Sequence, residues 1–219
     1  MTTNSHGSES SILEKYRITF ENAQLQSQIA GTLAEFGYTA EKMATGKAFY
    51  DETRLTYDSN KTETDESLAA YVEFNTIRKN LDKIYSAHRK KAKVAYRKNE
   101  VTAAKLGITG SKPQAYIKWL EAVKKFYSLT TTDTTIQNQL SIFKISVEDL
   151  DAANALITEV EALRAAYLKE KGESQDATTI KDAAFAKLDD WMSEFYAVAK
   201  IAMEDNPQLL EALGLIVRS

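Results

Sequence analysis

The side chains most often used for catalysis and metal binding are scarce in this sequence. Its 219 residues include no cysteine and two histidines, His6 and His88. Without cysteine the chain has no disulfide, no thiolate nucleophile and no cysteine metal site. A metal site inside a helical bundle uses inward carboxylates with Glu-x-x-His pairs, and no such pair occurs here. We therefore expect no catalytic residue, no metal and no cofactor, and we predict that the protein is not an enzyme.

The remaining catalytic motifs are also missing. His88 falls on the apolar seam of a predicted helix, and we interpret it as a partly buried residue that is hydrogen-bonded or turned toward water. No glycine-rich strand–turn–helix segment occurs, which excludes phosphate-binding loops and dinucleotide motifs. Aspartate and glutamate are plentiful, but no pair stands out as a general acid and base.

A strongly basic stretch is the clearest candidate for function. Residues 78–98 contain nine Lys and Arg against one acidic residue, Asp82, whereas residues 185–205 contain two Lys against five acidic residues. Residues 1–109 carry a net charge of +2 and residues 110–219 a net charge of −5. The candidate interaction surface takes residues from both stretches: Arg89, Lys90, Lys91, Lys93, Arg97, Lys98, Asp189, Asp190, Glu194, Glu204 and Asp205.

Three interpretations of this polarity remain open. In the first, the two long helices are neighbours and their charges pair within one chain, each surface pair contributing about 0–1 kcal/mol. In the second, the basic face of one subunit binds the acidic face of the next, a head-to-tail contact that builds rings or filaments. In the third, residues 88–98 bind the phosphates of a nucleic acid or another polyanion. The third is less favoured because the whole chain is acidic, with a pI near 5.6.

The basic stretch belongs to a passage that occurs twice. The segments KAKVAYRKNEVTAAKLGI (91–108) and VAKIAMEDNPQLLEALGL (198–215) align without a gap at a spacing of 107 residues. Over residues 29–108, 19 of 80 positions are identical to their counterparts in 136–215. We interpret the chain as a tandem duplication of a three-helix unit of roughly 107 residues.

Composition predicts an all-α fold. Two prolines and eight glycines are too few for a turn-rich β protein, and helix-forming residues dominate the long segments. We expect one helical-bundle domain over 10–219, with repeats 10–109 and 110–219 related by an approximate two-fold axis, after a disordered tail at 1–9. No stretch approaches about 18 apolar residues and no secretory signal pattern is present, so we expect no membrane span and a cytoplasmic location.

Capping signals and apolar spacing place the helices. Ser10 or Ser11 is expected to cap the first helix, with a break near Gly31. Left-handed glycine caps are expected at three helix ends, Gly37, Gly107 and Gly214. Hydrophobic staples before the second helix of each copy pair Tyr38 with Met43 and Ile145 with Leu150.

Polar connectors are expected to separate the second and third helices of each copy. They cover 59–66 and 169–176, and the long helices that follow are expected at about 66–98 and 174–205. Six aromatic residues at helical spacing are expected in the core: Trp119, Phe126, Tyr127, Trp191, Phe195 and Tyr196.

These features favour a non-enzymatic structural or protein-interaction module. We expect it to self-associate as a homo-oligomer or to dock onto a larger assembly. Polyanion binding through residues 88–98 is the alternative, and a small-ligand site or an active site in a pocket between the repeats is a weaker one. The sequence identifies neither a partner nor a ligand.

Overall fold

The computed structural model describes residues 7–216 of the chain. Within that range the protein is helical and has no strand, which confirms the all-α part of the predicted fold. The helices are α1 (Glu9–Leu25), α2 (Ser27–Glu35), α3 (Ala40–Ala95), α4 (Glu100–Lys105), α5 (Tyr116–Thr130), α6 (Thr134–Ser141), α7 (Val147–Ala202) and α8 (Leu209–Ala212). None of the described helices is both long and apolar enough to cross a membrane. Most of the predicted tail, residues 1–6, lies outside the described range.

The prediction of polar connectors was wrong. Helices α3 and α7 are each a single helix of 56 residues, and both expected connectors are helical. The first, 59–66, contains neither Gly nor Pro, so nothing in it ends a helix. Its threonine hydroxyls also bond back within the helix, as Thr64 Oγ1 does to the carbonyl oxygen of Asn60 at 2.7 Å. The missing apolar pattern therefore indicates a solvated helix rather than a break.

The first helix begins and ends at other residues than expected. Ser8, not Ser10 or Ser11, caps α1, and its hydroxyl accepts a hydrogen bond from the Ser11 N–H at 3.4 Å. The break falls at Gln26, in an extended conformation, and Gly31 lies inside α2. An unbroken helix would point Ile29 away from the core face of α1, because six residues after Ala23 correspond to about 600° of rotation. The break lets both helices bury their apolar faces.

The described residues form two compact units. Unit 1 comprises the described residues up to Thr64 and those from Glu173 onward, and unit 2 comprises Asp65–Gly172. Helices α3 and α7 are therefore both divided, and each contributes about half of its length to unit 1 and the rest to unit 2. The unit boundaries fall within these helices, away from the predicted repeat boundary between residues 109 and 110.

Aromatic residues fill the core of each unit. In unit 1, Trp191 packs against Phe20 and Phe195, with 5.4 Å between ring centroids in both pairs. In unit 2, the rings of Phe126 and Tyr127 lie 5.1 Å apart and both side chains are fully buried. Five of the six predicted core aromatics are buried, and the sixth, Tyr196, is half-buried. The predicted core aromatics are thus confirmed.

The predicted glycine caps are confirmed by backbone geometry. Gly37, Gly107 and Gly214 have φ angles of +86°, +65° and +73°, the left-handed conformation that closes a helix. The Tyr38 N–H then donates to the carbonyl oxygen of Leu33 at 3.0 Å, and Tyr38 is buried. The predicted staple residues of the second copy, Ile145 and Leu150, are buried as well.

Candidate interaction surface

The C-terminal half of α3 has a buried face and a basic face. Leu81, Tyr85 and Ala92 are fully buried in the unit 2 core, at spacings of four and seven residues. The basic face consists of exposed residues on the opposite side of α3 and in the turn that follows it: Lys79, Lys83, Lys90, Lys93, Arg97 and Lys98. Because burial fixes the rotation of the helix, these cations point to solvent together.

The one acidic residue within this stretch is already engaged. Asp82 accepts a hydrogen bond from the Lys112 ammonium at 2.6 Å and from the indole Nε1–H of Trp119 at 2.7 Å. Lys112 also donates to Ser86 Oγ at 2.8 Å. Asp82 therefore neutralises Lys112 and positions a core tryptophan, so it does not neutralise the cations of the basic face.

Three of the basic residues selected from sequence have structural partners. Arg89 is 7% exposed, so it does not belong to the surface. Its guanidinium donates to the carbonyl oxygens of Thr109 at 3.1 Å and Gly110 at 3.2 Å. Lys91 donates to the carbonyl oxygen of Lys144 at 2.9 Å, and Lys93 to that of Gly110 at 2.7 Å. These side chains hold loops against α3.

The acidic residues selected from sequence lie in unit 1. Asp189 accepts a hydrogen bond from the Tyr16 hydroxyl at 2.8 Å and is half-buried. Glu194 pairs with Lys42 at 2.8 Å, and this bond lowers the pKa of the Glu194 carboxyl. The exposed members form the acidic face of unit 1: Asp190, Glu194, Glu204 and Asp205.

Net charge separates between the two units. Unit 2 contains 18 Lys and Arg against 13 Asp and Glu, a net charge of +5, whereas the rest of the sequence contains 10 against 18, a net charge of −8. Dividing the sequence into halves underestimates this charge separation, because the units are built from other segments than the two predicted repeats. The charge of each unit is large enough to steer an oppositely charged partner.

His88 has the environment expected of a core histidine. It is 8% exposed, and its Nδ1 lies 3.0 Å from the hydroxyl oxygen of Tyr127. Burial lowers the pKa of His88 and raises that of the Tyr127 hydroxyl. Both groups are therefore held neutral, which suits packing.

Sequence reasoning missed a surface groove in unit 1. It has a volume of about 600 Å³ and lies among α1, α2 and the first turns of α3. Its lining is mostly small or apolar: Phe20, Glu21, Ala23, Gln24, Ala30, Gly31, Leu33, Ala34, Tyr38, Ala40, Met43, Ala44 and Lys47. The available signal was the pairing of small residues one turn apart, Ala30 with Ala34 and Ala40 with Ala44, which leaves room between helices.

Comparison with known proteins adds no functional assignment. No protein-family model matches the chain, and no curated protein or solved structure gives a significant match. Function therefore has to be inferred from the two charged faces, the groove and the residues that build them.

Proposed function

We propose that this protein is a non-enzymatic interaction module that self-associates head to tail. The basic face of unit 2 in one molecule would bind the acidic face of unit 1 in the next. The observation that carries the proposal is the coincidence of the charge separation with the two compact units. Complementary charged faces speed association and fix the orientation of the partners.

The local contacts favour pairing between molecules. Asp189, Glu194 and Lys91 all have partners inside their own unit. Several exposed members of the two faces make no ion pair or side-chain hydrogen bond within the described residues: Lys90, Arg97, Lys98, Asp190, Glu204 and Asp205. Because the two faces differ, a contact between them is heterologous and can repeat from one molecule to the next.

We also propose that the scaffold arose by tandem duplication. The starts of α1, α2 and α3 (residues 9, 27 and 40) lie 107 positions before those of α5, α6 and α7 (residues 116, 134 and 147). Lys144, 107 positions after Gly37, has a φ of +55° although it is not a glycine. Both correspondences support the proposal. On this view, function resides where the copies differ, as Lys83 differs from Asp190 and Arg97 from Glu204.

Light scattering on the intact protein tests self-association. We expect the mean mass to rise with concentration at about 20 mM NaCl and to return to that of a monomer at about 500 mM, where screening is strong. The triple variant K90E/R97E/K98E should stay monomeric, and so should D190K/E204K/D205K. An equimolar mixture of the two variants should again form chains, with the variants alternating, because the two unchanged faces pair with each other and so do the two reversed faces.

Monomeric wild-type protein at every concentration and at low salt would refute the proposal. A matched control is K118E/K125E, which reverses two exposed charges of unit 2 outside the basic face. If it abolished association as completely as the triple variant, net charge rather than the basic face would be responsible.

Polyanion binding is the second candidate, and the unpaired cations of the basic face favour it. A gel shift with a DNA duplex at low salt is its direct test. A shift lost in K90E/R97E/K98E would support it, and no shift by the wild-type protein would remove it.

A further inference from the structure

We infer that the groove of unit 1 is the apolar centre of the head-to-tail contact and receives exposed valines of the basic face of a second copy. The inference rests on the proposed self-association and specifies where it occurs. Charged faces alone give a weak, salt-sensitive encounter, whereas a lasting interface places an apolar centre inside a polar rim. The described part of unit 1 offers such a centre in the groove.

The groove adjoins the acidic face. Tyr38 lines the groove, and the Lys42 ammonium lies over its ring, 4.0 Å from the centroid. The same ammonium pairs with Glu194 of the acidic face at 2.8 Å. A partner held by the acidic face is therefore within reach of the groove.

Two exposed glutamates are chain neighbours of residues that line the groove. Glu35 and Glu41 follow and precede residues of the groove wall, and both are exposed without an ion pair in the described part of the chain. The only cation among the lining residues, Lys47, is neutralised by Asp51. A basic partner surface is therefore favoured over an acidic one.

The matching apolar residues lie among the cations of unit 2. Val94 is 51% exposed on α3 between Lys90 and Arg97, and Val101 is 68% exposed on α4, three residues after Lys98 and directly after Glu100. An exposed valine such as Val94, with a cation on either side of it along the helix, suits an apolar groove that has acidic residues nearby. A second copy of the chain thus supplies both the charge and the apolar side chains.

The groove is not required by the packing of unit 1 itself. Gly31 lies inside α2, where glycine costs about 1 kcal/mol relative to alanine. A Cβ added at Gly31 would meet nothing within 4 Å, so no neighbour demands its absence. The positions 107 residues after Ala30, Gly31 and Ala34 carry larger polar residues, Gln137, Asn138 and Ser141. The small residues that line the groove on α2 thus have larger residues at the positions 107 further along the chain.

Filling the groove without changing charge tests the inference. Gly31→Leu should weaken self-association at low salt by about tenfold or more, measured by light scattering or sedimentation. The double variant V94S/V101S should weaken it likewise. Gly172→Leu is the matched control, since a Cβ at this helical glycine also meets nothing within 4 Å, and it should associate like the wild type.

The outcomes separate this inference from the proposed function. A monomeric wild-type protein refutes self-association itself. A wild-type protein that associates in a salt-sensitive manner, with Gly31→Leu associating equally well, refutes only the role of the groove. Thermal unfolding must show that Gly31→Leu remains folded, and Ala44→Met provides a second filling variant if it does not. If the neutral probe N-phenyl-1-naphthylamine bound the wild type but not Gly31→Leu while association was unchanged, the groove would be a small-molecule site and the inference would be wrong.

Discussion

The indole ring of Trp191 occupies the space where a side chain at position 46 would begin. A Cβ built on Gly46 would lie 2.3 Å from Cζ2 of Trp191, far inside van der Waals contact. The positions 107 residues from these two, Ala153 and Ile84, carry a larger and a smaller residue respectively. Both of these residues belong to the unit 2 core.

We predict that Gly46→Ala destabilises the protein by about 1–2 kcal/mol. Overpacking against a rigid ring costs about 1–3 kcal/mol, and the better helix propensity of alanine offsets only part of this. Urea unfolding measures the change. Gly172→Ala is the control and should stabilise by up to about 1 kcal/mol, because its Cβ meets nothing. A stabilised Gly46→Ala would show that the ring can move aside.

Replacing Asp82 should destabilise the protein more than replacing Asp189, which lies 107 positions later. We predict that Asp82→Ala costs about 1–3 kcal/mol, because it leaves the buried indole N–H of Trp119 without an acceptor. Asp189→Ala should cost about 0.5–1 kcal/mol, since the half-buried Tyr16 hydroxyl can turn to water. Urea unfolding of both variants gives the comparison. Equal losses would mean that the indole finds another acceptor.

Because His88 is buried, we predict that the free energy of unfolding falls as the pH is lowered from about 7.5 to about 5. Burial lowers the pKa of His88 in the folded protein, so the unfolded chain binds its proton first. The stabilisation is fully present above the unfolded pKa and is lost as the pH falls toward the folded one. Nearby Lys91 acts in the same direction and Asp149 opposes it.

The variant His88→Phe tests this assignment, since the residue 107 positions later is a buried phenylalanine, Phe195. Its unfolding free energy should change less between about pH 7.5 and pH 5 than that of the wild type, whatever its absolute stability. Parallel curves for the two proteins would place the pH dependence on other groups.

The continuity of α3 predicts a strong effect of proline near its middle. Thr64→Pro should destabilise the protein by about 3 kcal/mol, because it removes a backbone hydrogen bond and clashes with the preceding turn. Thr64→Ala should stay within about 0.5 kcal/mol of the wild type. Circular dichroism and urea unfolding check both. A neutral Thr64→Pro would indicate a flexible connector at 59–66.

Local signals in the sequence predicted the helix ends that glycine closes, but neither the ends of α1 nor the two long helices. Gly37 and Gly107 mark helix ends because only a left-handed residue closes a helix in this way. The segment 59–66 was wrongly predicted to be a connector because apolar periodicity detects burial. A helical segment that buries few side chains has no such periodicity. Its helix-compatible composition, free of Gly and Pro, was the better guide.

The sequence predicted the sign of the charge on the candidate surface but not which residues belong to that surface. A run of cations along a helix indicates a basic face, but only packing decides which of them turn inward. Arg89 follows His88 on the buried side and is used to hold the loop at Thr109 and Gly110. Predicting the groove requires knowing which helices are neighbours, and the spacing of small residues alone does not show this.

The division of the chain between the units also orders its folding during synthesis. Unit 2 is one continuous segment, so all of it has been translated once residue 172 is made. Unit 1 lacks the core residues that α7 contributes, including Trp191 and Phe195, until translation has passed them. Unit 2 can therefore fold before the residues preceding 65 have the α7 residues to pack against. Under the proposed self-association, this order of synthesis completes the basic face before the acidic face of the same chain.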